Sequence, residues 1–274
     1  MKPYIDLHLH TNYSDGVKTP SELLEMVREK KLTAFSVTDH DTIEGYKVMK
    51  ELVTQSDPEL ISGLEISTTL DNSDMHILAY FFDPENEQLN QVLADYQKNR
   101  RKRGIKIVEK LNEMNLALEF ADVEKIAGYG SIGRSHIALA LLGKKLTNYY
   151  EEGFNKYIGD GKPACIAKEN LTPQEAIQII HDAGGLAFLA HPGINNKEQY
   201  LDLLLEYGID GIEAYHASHR QGDVDRYLNL ARQHRLLVSG GSDYHGIENR
   251  YGVVGSQRVP YKYYQSMKEA KQSR

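Results

Sequence analysis

Asp6-Leu7-His8-Leu9-His10 places two histidines two residues apart. On an extended strand that spacing turns both imidazoles to the same side, where they can chelate one metal ion. Taken alone the pair is a weak signal, but similar residues recur along the chain. Thr38-Asp39-His40-Asp41-Thr42, Gly63-Leu64-Glu65-Ile66-Ser67, Met75-His76, Ala190-His191-Pro192 and Gly241-Ser242-Asp243-Tyr244-His245 each put ligand-type side chains at or near the end of a predicted strand. In an α/β barrel the carboxyl ends of successive strands meet on one face, so residues far apart in sequence share one pocket. Any single one of them could instead cap a helix or satisfy a loop backbone. Their repetition at strand after strand points to a metal-binding constellation.

The elements that must position these groups are readable from the same chain. Short β-branched and aromatic runs alternate with amphipathic helical segments, the pattern of a parallel sheet wound with helices. Strands are predicted over about Tyr4–Leu9, Ala34–Thr38, Leu60–Ile66, Met75–Phe82, Leu186–Ala190, Gly211–Tyr215 and Leu236–Gly240. Two helix starts are explicit. Thr19-Pro20-Ser21-Glu22 and Thr172-Pro173-Gln174-Glu175 each set a capping Thr before a first-turn Pro, with Glu three positions on. Between about Asn86 and Ala167 the strands stop and helical periodicity takes over, which predicts a helical insertion of residues 86–167, a lid, in a barrel built from 1–85 and 168–274. Its basic run Lys98, Arg100, Arg101, Lys102, Arg103 and Lys106 is either a solvated helix face or a set of cations aimed at phosphates. The glycine-rich stretch from Gly128 to His136 is a candidate loop over a site. It matches neither a Walker loop nor the dinucleotide-binding fingerprint.

Composition narrows the class. At 274 residues, 41% hydrophobic and 26% charged, the chain is an ordinary folded domain large enough for its own core. A net charge of −7 offers no general attraction for long duplex nucleic acid or anionic lipid, so a phosphate-bearing substrate must be captured locally. The single Cys165 excludes a disulfide framework or a multi-cysteine metal site. With no long apolar span and no signal-like amino terminus, a cytoplasmic location is expected.

These motifs resemble the PHP (polymerase and histidinol phosphatase) superfamily. The resemblance rests on Asp6-Leu7-His8-Leu9-His10-Thr11, Val37-Thr38-Asp39-His40-Asp41, Leu189-Ala190-His191-Pro192 and Gly241-Ser242-Asp243-Tyr244-His245-Gly246, and it extends over nearly the whole chain. It implies an α/β fold, a distorted seven-stranded (β/α)7, TIM-like barrel with up to three metal ions. Mapped motif by motif, it implies that His8, His10, Glu65 and Asp243 hold one ion, Asp15, His40 and His245 a second, and Glu65, His76 and His191 a third. Imidazole and carboxylate without thiolate suit Mn, Fe or Zn better than Mg or Ca. Three divalent ions would outweigh three ligand carboxylates and leave a cationic pocket that attracts phosphate. Paired ions also activate a water, as bound hydroxide, for in-line attack on phosphorus, so the missing Gly-x-Ser-x-Gly elbow is no obstacle.

Within the superfamily, Gly133-Arg134-Ser135-His136-Ile137-Ala138 and Tyr157-Ile158-Gly159-Asp160-Gly161-Lys162-Pro163-Ala164 are similar to a nucleotide phosphatase branch. The resemblance implies action on 3′,5′-bisphosphonucleotides, on 5′-AMP, or 5′-to-3′ trimming of short RNA. Ser135 and Cys165-Ile166 stand where that branch has Pro and Tyr-Val. Arg134 and His136 are expected to grip the substrate, and His216 and His219, which follow the sixth predicted strand, are candidates for contacting its phosphate or leaving group. His181 and His234 read as structural, and Cys165 as a small apolar filler. Two other readings remain: a histidinol-phosphate phosphatase, and a noncatalytic metal-binding PHP module.

Overall fold

The computed structural model describes residues 2–71, 73–246 and 252–274. Strands β1 (Tyr4–Leu9), β2 (Ala34–Val37), β3 (Glu59–Ile61) and β9 (Val259–Pro260) form one sheet in the order β3-β2-β1-β9. Strands β4 (Gly63–Leu70), β5 (Ser73–Tyr80), β6 (Leu186–Leu189), β7 (Gly211–Tyr215) and β8 (Leu237–Gly240) form a second, in sequence order. The fold is therefore mixed α/β with two sheets, and it departs from the expected parallel strand pattern on two points.

The first concerns the predicted strand Leu60–Ile66, which divides at Ser62 into β3 and β4, members of different sheets. Gly63 makes the crossing possible, because a Cβ there would lie 1.8 Å from Ser36 Oγ and 2.6 Å from the Val37 carbonyl oxygen. The second is direction. β4, β5 and β6 pair antiparallel, and only β6, β7 and β8 continue in parallel. Asp71, at φ 51°, takes the left-handed backbone that Asp tolerates in a tight hairpin turn. Two isolated parallel bridges, Leu9 to Tyr244 and His40 to Glu65, link the sheets near the ends of their strands.

The helices follow local chemistry. α1 (Pro20–Lys30) and α7 (Pro173–Asp182) begin as expected, with Thr19 and Thr172 accepting from the Glu22 and Glu175 amides and each Glu closing its capping box. α2 (Glu44–Leu52), α8 (Leu201–Glu206), α9 (Gln221–His234) and α10 (Tyr261–Gln272) accompany the strands. Between β5 and β6 run α3 (Glu87–Glu113), α4 (Phe120–Ala127), α5 (Arg134–Gly143) and α6 (Tyr150–Gly153). These four share a core of their own that includes Ile107, Leu111, Val123, Ile137 and Leu141, all buried. The sheets bury separate sets, among them Ile66, Ile77, Ile180, Leu189 and Ile212. Each fully buried aliphatic side chain contributes roughly 1.5–3 kcal/mol. Among the described residues no helix is long and apolar enough to cross a membrane.

Candidate metal centre

Alternation along β1 puts Asp6 and His8 on one side, but they do different work. The Asp6 carboxylate accepts from the Ser242 amide at 2.9 Å and the Gly255 amide at 2.7 Å, tying β1 to the segment after β8. Burial pushes its pKa up to about 6 against those hydrogen bonds. His8 Nδ1 lies 2.8 Å from Glu213 Oε1 on β7, which leaves Nε2 3.2 Å from both Glu65 Oε2 and Asp243 Oδ1. Gly241 permits this approach, since a Cβ there would lie 2.4 Å from the His8 Cβ.

The structure brings all nine candidate ligands into one pocket, as overlapping groups. His8, His10, Glu65 and Asp243 have ligand atoms within 4.8 Å of one another, and so do His10, Asp15, His40 and His245. His245 Nε2 is 3.1 Å from Asp15 Oδ1. On the far side of Glu65, its Oε1 lies 2.7 Å from His76 Nδ1 and 2.9 Å from His191 Nε2. Glu65 thus presents one oxygen to each side of the pocket. Asp41, His191 and Asp243 all have positive φ, at 54°, 28° and 51°. Such backbone costs of order 1–3 kcal/mol per residue and survives only where surrounding contacts impose it.

Burial opposes ionisation of Asp15, Glu65 and Asp243, yet the imidazoles against them hold all three well below the usual carboxylate range. Burial likewise disfavours charge on the histidines. It drives His40 down to about 3, whereas Asp243 and Glu65 carry His10 up to about 10. These opposite directions belong to one coupled cluster. The direction that follows from geometry is anionic carboxylates, each facing several ring nitrogens. Among the described residues, buried His10 Nε2, His40 Nδ1, His191 Nδ1 and Asp15 Oδ1 make no well-aligned hydrogen bond, although Asp243, Glu65 and His245 stand within 3.1–3.2 Å of His10, His40 and Asp15 respectively. Leaving a buried polar atom unsatisfied costs about 1–3 kcal/mol, and a cation at this mixed imidazole–carboxylate set would satisfy several such atoms together.

Several supporting residues escape a reading based on motifs. Besides holding His8, Glu213 accepts from the His191 amide at 2.7 Å and so joins two candidate ligands. Its one sequence signal is a carboxylate at an inward-facing position of an apolar strand, Gly211-Ile212-Glu213-Ala214. Asp39 accepts from the Thr11 amide and from the Thr11 and Ser14 hydroxyls at 2.6–2.7 Å, fixing the loop that carries His10 and Asp15. Asp41 pairs with Arg100 Nε at 2.8 Å, and Arg100 also donates to Ser67 Oγ at 3.1 Å and the Ile132 carbonyl at 3.2 Å. The basic run therefore divides by helical phase. Arg100 and Arg103 turn inward, whereas Lys98 and Arg101 pair on the surface with Asp95 and Glu124.

Arg134 borders a cleft of about 300 Å³ that His76 and His191 also line. Its Nη1 lies 2.5 Å from Asp160 and its Nη2 3.4 Å from Asp74. His136 is buried at the start of α5, where Nδ1 accepts from the Gly133 amide at 3.0 Å. The ring also hydrogen-bonds the Ser14 backbone, so it pins α5 to the Asp15 loop. His216 Nε2 stands 3.2 Å from Asp243 Oδ2, and its ligand atom groups with those of His8 and Glu213. His219 is held between the Ala214 carbonyl at 2.9 Å and the Gly193 amide at 3.2 Å, which fixes the loop after His191. His181 pairs with Asp210 at 2.8 Å, away from the pocket. Cys165 is half-buried on the wall of a neighbouring cleft.

A two-sheet α/β scaffold that gathers imidazoles and carboxylates beside a cation-lined cleft has the make-up of a metal-dependent hydrolase of phosphate esters. The chain belongs to the PHP domain family, which matches residues 6–251. It is a metal-dependent phosphoesterase. It is similar to the 5′-3′ exoribonuclease Rnm of Salmonella typhimurium, with 32% identity over 88% of this chain and 84% of that one. It is also 28% identical to a phosphoribosyl 1,2-cyclic phosphate 1,2-diphosphodiesterase of Eggerthella lenta, over 93% of this chain and 98% of that one. Among solved structures, a candidate metal-dependent phosphoesterase from Bifidobacterium adolescentis superposes with a TM-score of 0.88 at 29% identity. That match covers 97% of this chain and 95% of the other.

Proposed function

We propose that the protein hydrolyses a phosphate ester of a nucleotide or of a short 5′-phosphorylated oligonucleotide, with up to three divalent or trivalent ions (Mn, Fe or Zn) as cofactors. His8, His10, Glu65 and Asp243 would hold one ion, Asp15, His40 and His245 a second, and Glu65, His76 and His191 a third. Bound ions would supply Lewis acidity and a water acidified for in-line attack on phosphorus. The chain's own groups do the rest. Glu213 orients His8 and the loop of His191, Asp39 orients the loop of His10 and Asp15, and Arg134 offers a planar fork to phosphate oxygens. His136 and His219 act by positioning, while His216, beside Asp243, remains a candidate for contact with the reacting phosphate.

In this reading residues 86–167 form a lid over the metal-bearing face of a barrel contributed by 1–85 and 168–274. Support comes from Arg100, which anchors α3 to Asp41 next to His40, and from Arg134, which reaches the cleft from the start of α5. The barrel is a distorted (β/α)7 ring of β1, β2 and β4 through β8. The Leu9–Tyr244 and His40–Glu65 bridges stand where its ladders would close. A cytoplasmic location accords with the lone cysteine.

The observation that carries the reading is the convergence of nine ligand-type side chains beside a cleft with three cations, Arg134, Lys168 and Lys197. The exoribonuclease relative favours a nucleotide substrate, and the Eggerthella relative favours a cyclic phosphodiester as the second reading. The manganese-loaded protein should be assayed on a short 5′-phosphorylated RNA, 5′-AMP, adenosine 3′,5′-bisphosphate, histidinol phosphate and phosphoribosyl 1,2-cyclic phosphate, with products separated. The highest kcat/KM should fall on one of the first three. Preference for either of the last two would replace the proposal, and full metal loading without turnover on any would leave a noncatalytic module.

A further inference from the structure

Lys197, so far only one of the three cations of the cleft, is among the most unusual side chains in the molecule. It is 4% exposed, and among the described residues no carboxylate forms an ion pair with it. Lysine is almost never this covered without a counter-charge, because an ammonium that leaves water loses solvation that only an anion or a full set of acceptors restores. Its Nζ donates to Ser73 Oγ, a neutral partner at the start of β5. The two together form part of the wall of the cleft that His76 and His191 enter.

The backbone is built to keep Lys197 there. The chain leaves His191 and turns back through Asn195 and Asn196, both left-handed at φ 56° and 54°. The Lys197 amide closes the turn on the Pro192 carbonyl at 2.8 Å. His219 clamps the same loop at Gly193. Two consecutive left-handed residues in a clamped loop are costly, and here they deliver one buried cation to the cleft.

The other charges of the cleft complete the argument. Lys168 Nζ lies 2.7 Å from Asp74, and Arg134 shares Asp74 at 3.4 Å while also meeting Asp160 at 2.5 Å. The Asp160 side chain is 81% exposed and can swing into water. Three cations thus face one held carboxylate and one that is free to leave. Among the described residues the negative charge that reaches Lys197 comes from Asp74 and Asp160, both already engaged by Lys168 and Arg134.

We infer that Lys197, with Lys168 and Arg134, forms an anion subsite beside the metal centre that receives the phosphate group adjacent to the one being hydrolysed. This rests on the nucleotide reading above and deepens it. The favoured substrate then carries two phosphate groups, as a bisphosphorylated nucleotide or a 5′-phosphorylated oligonucleotide does, and 5′-AMP does not. No proton or electron moves at Lys197. It binds through charge, and the substrate anion takes the place of the missing counter-ion.

The test compares wild type with Lys197→Met and Lys197→Arg, using a 5′-phosphorylated RNA trinucleotide and p-nitrophenyl phosphate. For Lys197→Met, kcat/KM on the trinucleotide should fall on the order of 10- to 100-fold, mostly through KM, the loss expected for one charge-assisted contact. The fall on p-nitrophenyl phosphate should be less than about threefold. Lys197→Arg should recover most of the loss, and metal content should be unchanged. The plot of log kcat/KM against log salt should flatten by about 0.7 in Lys197→Met, as expected when one single-strand phosphate contact is removed. Equal losses on both substrates, or no loss on the trinucleotide, would overturn the subsite. If wild type ignores the trinucleotide, the nucleotide reading fails by itself, and calorimetric binding of inorganic pyrophosphate still decides the subsite without turnover. Weaker binding in Lys197→Met supports it, and equal binding refutes it.

Discussion

Glu65 and Glu213 differ by what faces them. Glu65 is surrounded by ring nitrogens on both of its oxygens, whereas Glu213 spends one oxygen on His8 Nδ1 and the other on the His191 amide. A carboxylate that holds the far nitrogen of a ligand histidine fixes its tautomer and aims the near one, and losing it typically costs 10- to 100-fold in metal affinity. Glu65→Gln should therefore lower the stoichiometry of bound Mn by more than one ion per chain. Glu213→Gln should keep the stoichiometry but weaken the tightest site by about 10- to 100-fold in chelator competition. An unchanged affinity in Glu213→Gln would reduce that residue to packing.

At the scale of elements, α3 is fastened to the strand ends by one buried ion pair. Asp41 is fully buried, its neighbour His40 bridges to Glu65, and Arg100 reaches Asp41, Ser67 and Ile132 at once. Burial works against the Asp41 charge, but Arg100 beside it keeps its pKa below the ordinary 3.8. Removing one partner of such a pair leaves a buried charge uncompensated, so Arg100→Met should cost roughly 3–5 kcal/mol in urea unfolding at pH 7. The sign with pH follows from the depressed native pKa. The pair's contribution is fully present above pH 3.8 and is lost as pH falls below it. The gap between wild type and Arg100→Met should therefore be widest near neutrality and shrink towards pH 3. A gap that does not depend on pH would mean that Arg100 acts through its apolar stem.

Across the whole molecule, the pocket carries a concentration of buried acid in a chain of net charge −7. Asp15, Glu65, Glu213 and Asp243 all lie within it, all held below the usual carboxylate range. A cation bound only by the folded state stabilises it by mass action, about 2.7 kcal/mol at a hundredfold excess over Kd. For a domain of this size that is a rise in Tm of about 5–10 °C. Calorimetry of chelator-treated protein titrated with Mn²⁺ or Zn²⁺ should show this rise. A Tm indifferent to both metals would mean that the histidine–carboxylate contacts suffice by themselves.

What was legible in the sequence was short-ranged. Thr19 and Thr172 announce their helices because a cap is settled within three residues, and His8 and His10 share a side because strand alternation is local. The inventory of candidate ligands was also visible, through short motifs and the family resemblance they carry, although Glu65 and His76 lie inside β4 and β5 and Asp15 lies in the loop after β1. Tertiary structure alone decided the rest. Glu213 is 205 residues from His8, and Arg100 is 59 from Asp41, distances at which periodicity carries no information. Leu60–Ile66 reads as one strand because its apolar pattern is continuous, but Gly63 lets the backbone cross against Ser36 and change sheets. His136 and His219 look available for substrate because a sequence does not show that Gly133, Ser14, Ala214 and Gly193 already occupy their ring nitrogens. An amino acid's type and its near neighbours determine which chemistry it can offer. Whether that chemistry is left free depends on partners that meet it only once the chain has closed on itself.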